Sequence, residues 1–243
     1  MEDLLVPLYQ VLPHCRPGWL PRGMTNFGTA IIVGAGPGLG FALARTFATA
    51  GHPVAMLARD KARLDDHAAR LSPAGAGPAV RGYAADAADP QRLRATLTSA
   101  IAELGPPDVL VYNIGVLRPD SPTGGDDQHW ADVTALNVLG ARVAADAVLP
   151  QLRDGRGTLL FTGGGYALRP SAKFSSLSVG KAALRAYVQV LHNQLAGTAV
   201  HATSVTITKG IGSEPRFDAT ALAQAYLDLH HQPEAEWQPE LVI

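Results

Sequence analysis

A β-branched apolar run, Thr29-Ala-Ile-Ile-Val33, leads into a glycine-dense turn, Gly34-Ala-Gly-Pro37-Gly38-Leu39-Gly40, and a helix-forming segment, Phe41-Ala-Leu-Ala-Arg-Thr-Phe-Ala48, leaves it. Strand, glycine turn and helix in that order is the context in which a Gly-rich match marks a dinucleotide pyrophosphate site. Glycine takes positive φ and lets the backbone come close to a ligand. The helix start then offers free N–H donors and the positive end of its dipole to phosphate oxygens. A tight turn that binds nothing would use the same glycines, so the flanking strand and helix carry the argument for a nucleotide.

From Thr29 onward apolar runs alternate with helical patterns. Strands are predicted at Thr29–Val33, Pro53–Ala58, Val80–Ala84, Asp108–Tyr112, Thr158–Thr162, Val200–Thr206 and Leu241–Ile243. Helices are predicted near 39–50, 60–71, 89–103, 127–150, 173–196 and 218–230, with Ser72–Pro78 a plain helix-to-strand connection. This alternation calls for right-handed crossovers and a doubly wound parallel sheet of about seven strands, Rossmann-type, with helices on both faces. Runs such as Val109-Leu-Val-Tyr112 suit strands buried on both sides.

At 243 residues the chain can bury the core of one such domain, placed at 25–243. A formal net charge of -1 leaves no basic excess for nucleic acid or an anionic membrane. The single cysteine, Cys15, rules out an intramolecular disulfide. His230-His231 is too short for a metal cluster and no Asp/Glu/His spacing supports zinc, so no metal is expected. No apolar run reaches the about 18 residues of a membrane span. Glu2 and Asp3 stand where a secretion signal is basic, so a cytoplasmic location is expected. Residues 1–24, broken by Pro7, Pro13, Pro17 and Pro21, read as a disordered extension or as lying upstream of a start at Met24. Their apolar residues are an alternative packing surface for the domain or a partner chain.

In such a sheet ligands collect at the carboxyl ends of the strands. After the second strand, where an NAD site carries an acidic residue, stands Arg59, whose guanidinium favours a 2′-phosphate. NADP(H) is therefore preferred, with NAD(H) the alternative. Asp60 either contacts the cofactor or caps the next helix. After the third strand Asp86, followed by Ala87, is placed to accept from an adenine amino group or to cap; Asp89-Pro90 reads as N-cap and N1. After the fourth comes Asn113-Ile114-Gly115.

These pieces, with Asn137-Val-Leu-Gly140 and Lys181 in Leu177-Ser-Val-Gly-Lys181, resemble the short-chain dehydrogenases/reductases over about 215 residues. The resemblance implies a cofactor site at Gly34, Pro37, Gly38, Leu39, Gly40, Arg59, Asp86, Ala87, Asn113, Ile114, Gly115, Lys181, Gly210 and Ile211. It implies that Lys181 holds the nicotinamide ribose and that Asn137 anchors a water and the lysine. It also implies a homodimer or homotetramer, paired through the small apolar residues of helix 173–196 (Ala182, Ala183, Ala186, Val190).

Two family residues are absent. The tyrosine slot, four before Lys181, is Leu177, and the serine slot, thirteen before that, is Gly164. Val33 and Lys209 replace a usual threonine and proline. Leucine has no proton to give and glycine no side chain. Tyr166 is the candidate substitute acid, or else an aromatic wall of the pocket; Lys181 itself is an acid if burial lowers it. Ser178 is too weak an acid, and Tyr187, His192 and His201 read as packing. The segment after the sixth strand, Gly210–Phe217, makes a short lid. Three functions follow: an NADP(H)-dependent oxidoreductase on a small carbonyl or alcohol substrate, a non-redox enzyme on the same fold, or a silent nucleotide-binding protein.

Overall fold

The computed structural model describes residues 27–72 and 77–243. The extension at 1–24 and most of the predicted 72–78 connection lie outside them. The seven strands are β1 (Thr29–Val33), β2 (Val54–Ala58), β3 (Val80–Ala84), β4 (Pro107–Tyr112), β5 (Gly157–Gly164), β6 (Val200–Ile207) and β7 (Glu240–Val242). They form one parallel sheet in the order β3-β2-β1-β4-β5-β6-β7. The helices are α1 (Leu39–Thr49), α2 (Lys61–Leu71), α3 (Pro90–Leu104), α4 (Asp127–Thr134), α5 (Gly140–Val148), α6 (Ser175–Gln194) and α7 (Ala219–His230). The doubly wound reading holds.

Alternation along the strands makes two cores. Ile31 and Val33 face one side with Leu93 and Leu97 of α3, Val143 of α5 and Leu184 of α6. Ala30 and Ile32 face the other with Leu43 and Phe47 of α1, Leu64 of α2 and Leu222 and Tyr226 of α7. With both faces covered, the central strands read as unbroken apolar runs.

The predicted helix 127–150 needs correction. A π-helical turn, Ala135–Leu139, interrupts it, giving α4 and α5. The Tyr112 hydroxyl donates to Leu136 O at 2.5 Å within that turn. Glycine is obligatory at 140, because a Cβ there would lie 2.3 Å from the same hydroxyl. Nor is it right that no apolar helical stretch reaches membrane length: Asp127–Gln151 does so by length and composition. Its apolar residues Val133, Ala141, Ala144 and Val148 are buried in the protein. β5 also runs past Thr162, so Gly163 and Gly164 belong to the strand.

Capping follows the sequence signals. Asp60 accepts from Arg63 N, and Asp89 from Gln91 N and Arg92 N with Pro90 at N1. α6 is capped from a distance, by Asp120 accepting from Ser175 N and Ser176 N at 2.5 and 3.0 Å. His129 Nε2 lies 3.7 Å from that carboxylate and 3.4 Å from Ser176 Oγ, closing a buried polar cluster.

Candidate active site

The strand order reverses between β1 and β4, and a cleft of about 1200 Å³ opens there along the carboxyl ends of the strands. Its floor is the glycine turn. Gly34 has φ +93°, and a Cβ on it would stand 2.1 Å from Asn113 O, so only glycine fits. Gly40 is pressed against Gly34 O in the same way. Gly36 and Gly38 differ: a Cβ on either would meet nothing within 4 Å, so their backbone is bare toward the cleft. α1 begins without a side-chain cap and without an acidic residue in its first turn, which leaves its end positive.

A hydrogen-bonded chain braces this floor. Tyr226 OH and Thr162 Oγ1 are 2.7 Å apart, Thr162 Oγ1 donates to Asn113 Oδ1 at 3.0 Å, and Asn113 Nδ2 donates to Gly34 O at 3.0 Å. The Asn113 side chain is thus spent on the turn, and the chain links α7, β5, β4 and the loop after β1. Sequence reasoning found Asn113 but missed Thr162 and Tyr226, whose partners are 49 and 64 residues away.

Most of the expected cofactor residues reach the cleft. Gly34, Gly38, Leu39 and Gly40 line it from the first turn, Arg59 from the end of β2, and Asp86 and Ala87 from the end of β3. Asn113, Ile114 and Gly115 follow from β4, with Gly210 and Ile211 beyond β6. Pro37, between two lining glycines, is exposed and does not line it. Asp86 also accepts from Ala88 N at 2.9 Å, so it serves as a cap as well. Arg59 is exposed at the rim, and Arg63, missed in the sequence, stands beside it. Arg63 pairs with Asp60 at 3.1 Å.

Lys181 lies at the centre. It is 5% exposed, and Nζ donates to Ile114 O at 2.7 Å and Thr162 O at 2.8 Å. Burial pulls its ammonium from 10.5 down to about 7. Asn137 is fully buried in the π turn and does not line the cleft. Its Nδ2 donates to Val133 O, while Oδ1 has no partner among the described residues. It packs on the residue before Lys181, since a Cβ on Gly180 would lie 2.9 Å from Asn137 Nδ2.

Val116, Leu117, Tyr166, Leu168, Leu177 and Ile211 form a largely apolar stretch of the cleft wall. Leu177 is nearly buried in this apolar wall. At Gly164 a Cβ would meet only Lys181 Cγ, at 3.8 Å, so the end of β5 opens directly onto the lysine. Tyr166 packs its ring on Phe174, 5.3 Å between centroids. Ser178 is committed elsewhere, donating to Phe174 O and accepting from Ser171 N. Tyr187 packs edge-on against Phe161, and His192 and His201 hydrogen-bond backbone carbonyls. The short segment after β6 is tied by an ion pair between Lys209 and Glu214 and anchored by buried Phe217.

Comparison with known proteins agrees with this fold. The chain is similar to an uncharacterized oxidoreductase of Staphylococcus saprophyticus, 27% identical over 73% of this chain and 76% of that one. Among solved structures it resembles an alcohol dehydrogenase of the archaeon Thermococcus sibiricus complexed with 5-hydroxy-NADP, at a TM-score of 0.81 and 21% identity, covering 90% of this chain and 96% of that one. It also resembles an NADPH-bound short-chain oxidoreductase of Pseudomonas aeruginosa that contains an atypical catalytic centre, with a TM-score of 0.78 and 20% identity over 88% of this chain and 94% of that one. The sequence profile of the short-chain dehydrogenases matches residues 28–211. The chain belongs to the short-chain dehydrogenase family.

Proposed function

We propose that the chain is an NADP(H)-dependent oxidoreductase acting on a small carbonyl or alcohol substrate, with Lys181 in place of the family's tyrosine as proton donor. The observation that carries this reading is one cleft holding three features together: a bare glycine turn, a basic rim and a buried, neutralisable lysine. The residues fit the cofactor. Gly36 and Gly38 leave space against the backbone, and the uncapped start of α1 presents N–H donors to a pyrophosphate. Arg59 makes no ion pair among the described residues and, with Arg63, offers charge-assisted donors to a 2′-phosphate. Both solved relatives described above carry an NADP-type nucleotide.

A bound nicotinamide supplies or accepts the hydride. This chain's residues do the rest. The carbonyls of Ile114 and Thr162 fix Lys181 Nζ in position, and an ammonium near 7 gives up a proton readily at neutral pH. Buried Leu177 presents an apolar surface to the cleft beside Lys181. Tyr166 forms a wall of the pocket and is the second candidate for the proton. A silent nucleotide-binding protein is the competing reading, favoured by the loss of both hydroxyls at positions 164 and 177. We further propose a cytoplasmic homodimer or homotetramer, the pairing resting on α6, which presents exposed Val179, Ala182, Ala186 and Val190.

The test is direct. NADPH and NADH affinities are measured by fluorescence for the wild type and Arg59→Ala, followed by a screen of carbonyl substrates for NADPH oxidation. Loss of one charge-assisted contact should weaken NADPH by ~10-fold or more and leave NADH nearly unchanged. Equal loss for both would refute the 2′-phosphate assignment, and binding without turnover of any carbonyl would favour the silent protein.

A further inference from the structure

The cleft uses the carboxyl ends of the strands. At the opposite end of the sheet the fold gathers three histidines that the cofactor chemistry does not use. His52 precedes β2, and His230 and His231 close α7. One ring nitrogen from each lies within 4.8 Å of the other two. The sequence separates His52 from the pair by 178 positions, which is why no metal-ligand spacing is visible in it.

We propose that His52, His230 and His231 form a binding site for a divalent transition metal of the imidazole-preferring kind, such as zinc(II) or cobalt(II). His52 is fully buried, and its Nδ1 stands 2.9 Å from Gly28 O. A carbonyl only accepts, so Nδ1 carries the proton and Nε2 presents a bare lone pair. That Nε2 is buried and has no hydrogen-bond partner among the described residues. An unpaired buried acceptor is destabilising, and a ligand would offset that cost. A metal-bound histidine has this arrangement, with the second nitrogen fixed by a backbone carbonyl.

His230 is held by a side chain. Its Nδ1 lies 3.0 Å from Thr158 Oγ1, at the start of β5. Burial disfavours the charged form of both the His230 and the His52 ring. His231 is exposed and caps α7, where its side chain has room to turn. Nitrogens about 2.0–2.1 Å from a tetrahedral ion are roughly 3.4 Å apart, so the three ligand atoms, within 4.8 Å of one another, must draw together on binding. Three protein nitrogens leave the fourth position to solvent. Arg153 faces the group and opposes a cation, but it is neutralised by Asp108, which accepts from its Nε and Nη2 at 2.8 Å. Imidazole-only ligation selects zinc, cobalt, nickel or copper over magnesium or calcium. The bound ion would tie the α1–β2 corner to the end of α7.

The experiment uses the full chain without an affinity tag, stripped with a chelator and titrated with Co2+. One equivalent should bind per chain, with visible d–d absorption that Zn2+ abolishes by displacement. His231→Ala removes an exposed ligand and should keep the wild-type circular dichroism while weakening Co2+ by more than ~10-fold. Thr158→Val, acting only through His230, should weaken it by ~10-fold. Cys15→Ser should bind as the wild type does. Absence of saturable Co2+ uptake, wild-type affinity in His231→Ala, or loss of the band in Cys15→Ser would each overturn the proposal.

Discussion

Replacing Lys181 by methionine keeps most of the side-chain volume and removes the one titratable group at the centre of the cleft. Lys181 titrates near 7 in the fold and near 10.5 when unfolded, because burial disfavours its charge. Each pH unit of that difference is worth about 1.4 kcal/mol, so the full penalty is ~5 kcal/mol below pH 7. The sign follows from proton counting. Between pH about 7 and 10.5 the unfolded chain holds a proton that the folded chain has released, so stability rises with pH in that window. From about pH 7 to pH 9 the wild type should gain about 2 kcal/mol relative to Lys181→Met, whose methionine does not titrate. The two carbonyls that Nζ meets favour the charged form, so this figure is an upper one. Urea unfolding of both proteins at the two pH values measures it, and taking the difference between proteins cancels every other titrating group. Parallel pH dependence would refute the reasoning and, with it, Lys181 as a proton donor at neutral pH.

Other outcomes follow from the same geometry. Gly34→Ala forces a Cβ to 2.1 Å from Asn113 O at a φ of +93° and should destabilise the fold by more than ~2 kcal/mol. Gly38→Ala, with nothing within 4 Å, should leave the melting temperature unchanged yet weaken cofactor binding; unchanged binding would show that the turn does not face the nucleotide. Thr162→Val strands Asn113 Oδ1 and Tyr226 OH and should cost at least about 2 kcal/mol in chemical denaturation. Gly164→Ser, where a Cβ would meet only Lys181 Cγ at 3.8 Å, combined with Leu177→Tyr should raise carbonyl reduction above wild type. No gain in rate would mean that more than the acid–base pair separates this chain from an ordinary reductase.

The sequence by itself determined the layered sheet, the glycine turn and most of the cleft's rim. Alternating apolar runs and helical segments admit few topologies, and a strand–glycine–helix unit places its ligand at a known end of the sheet. Arg59, Asp86 and Asn113 were legible because each follows a strand end, and Lys181 through the family resemblance. Only the tertiary structure decided how those residues are held. The π turn that buries Asn137 arises where Tyr112 meets Leu136 O, a contact between residues 24 apart that no local pattern encodes. The chain from Tyr226 through Thr162 and Asn113 to Gly34, and the meeting of His52 with His230 and His231, depend on strands and helices brought together over long separations. The lowered titration of Lys181 belongs to the same class. Periodicity records which face of an element is buried, but the polar groups that meet inside, and the water excluded around them, are set by packing between distant segments.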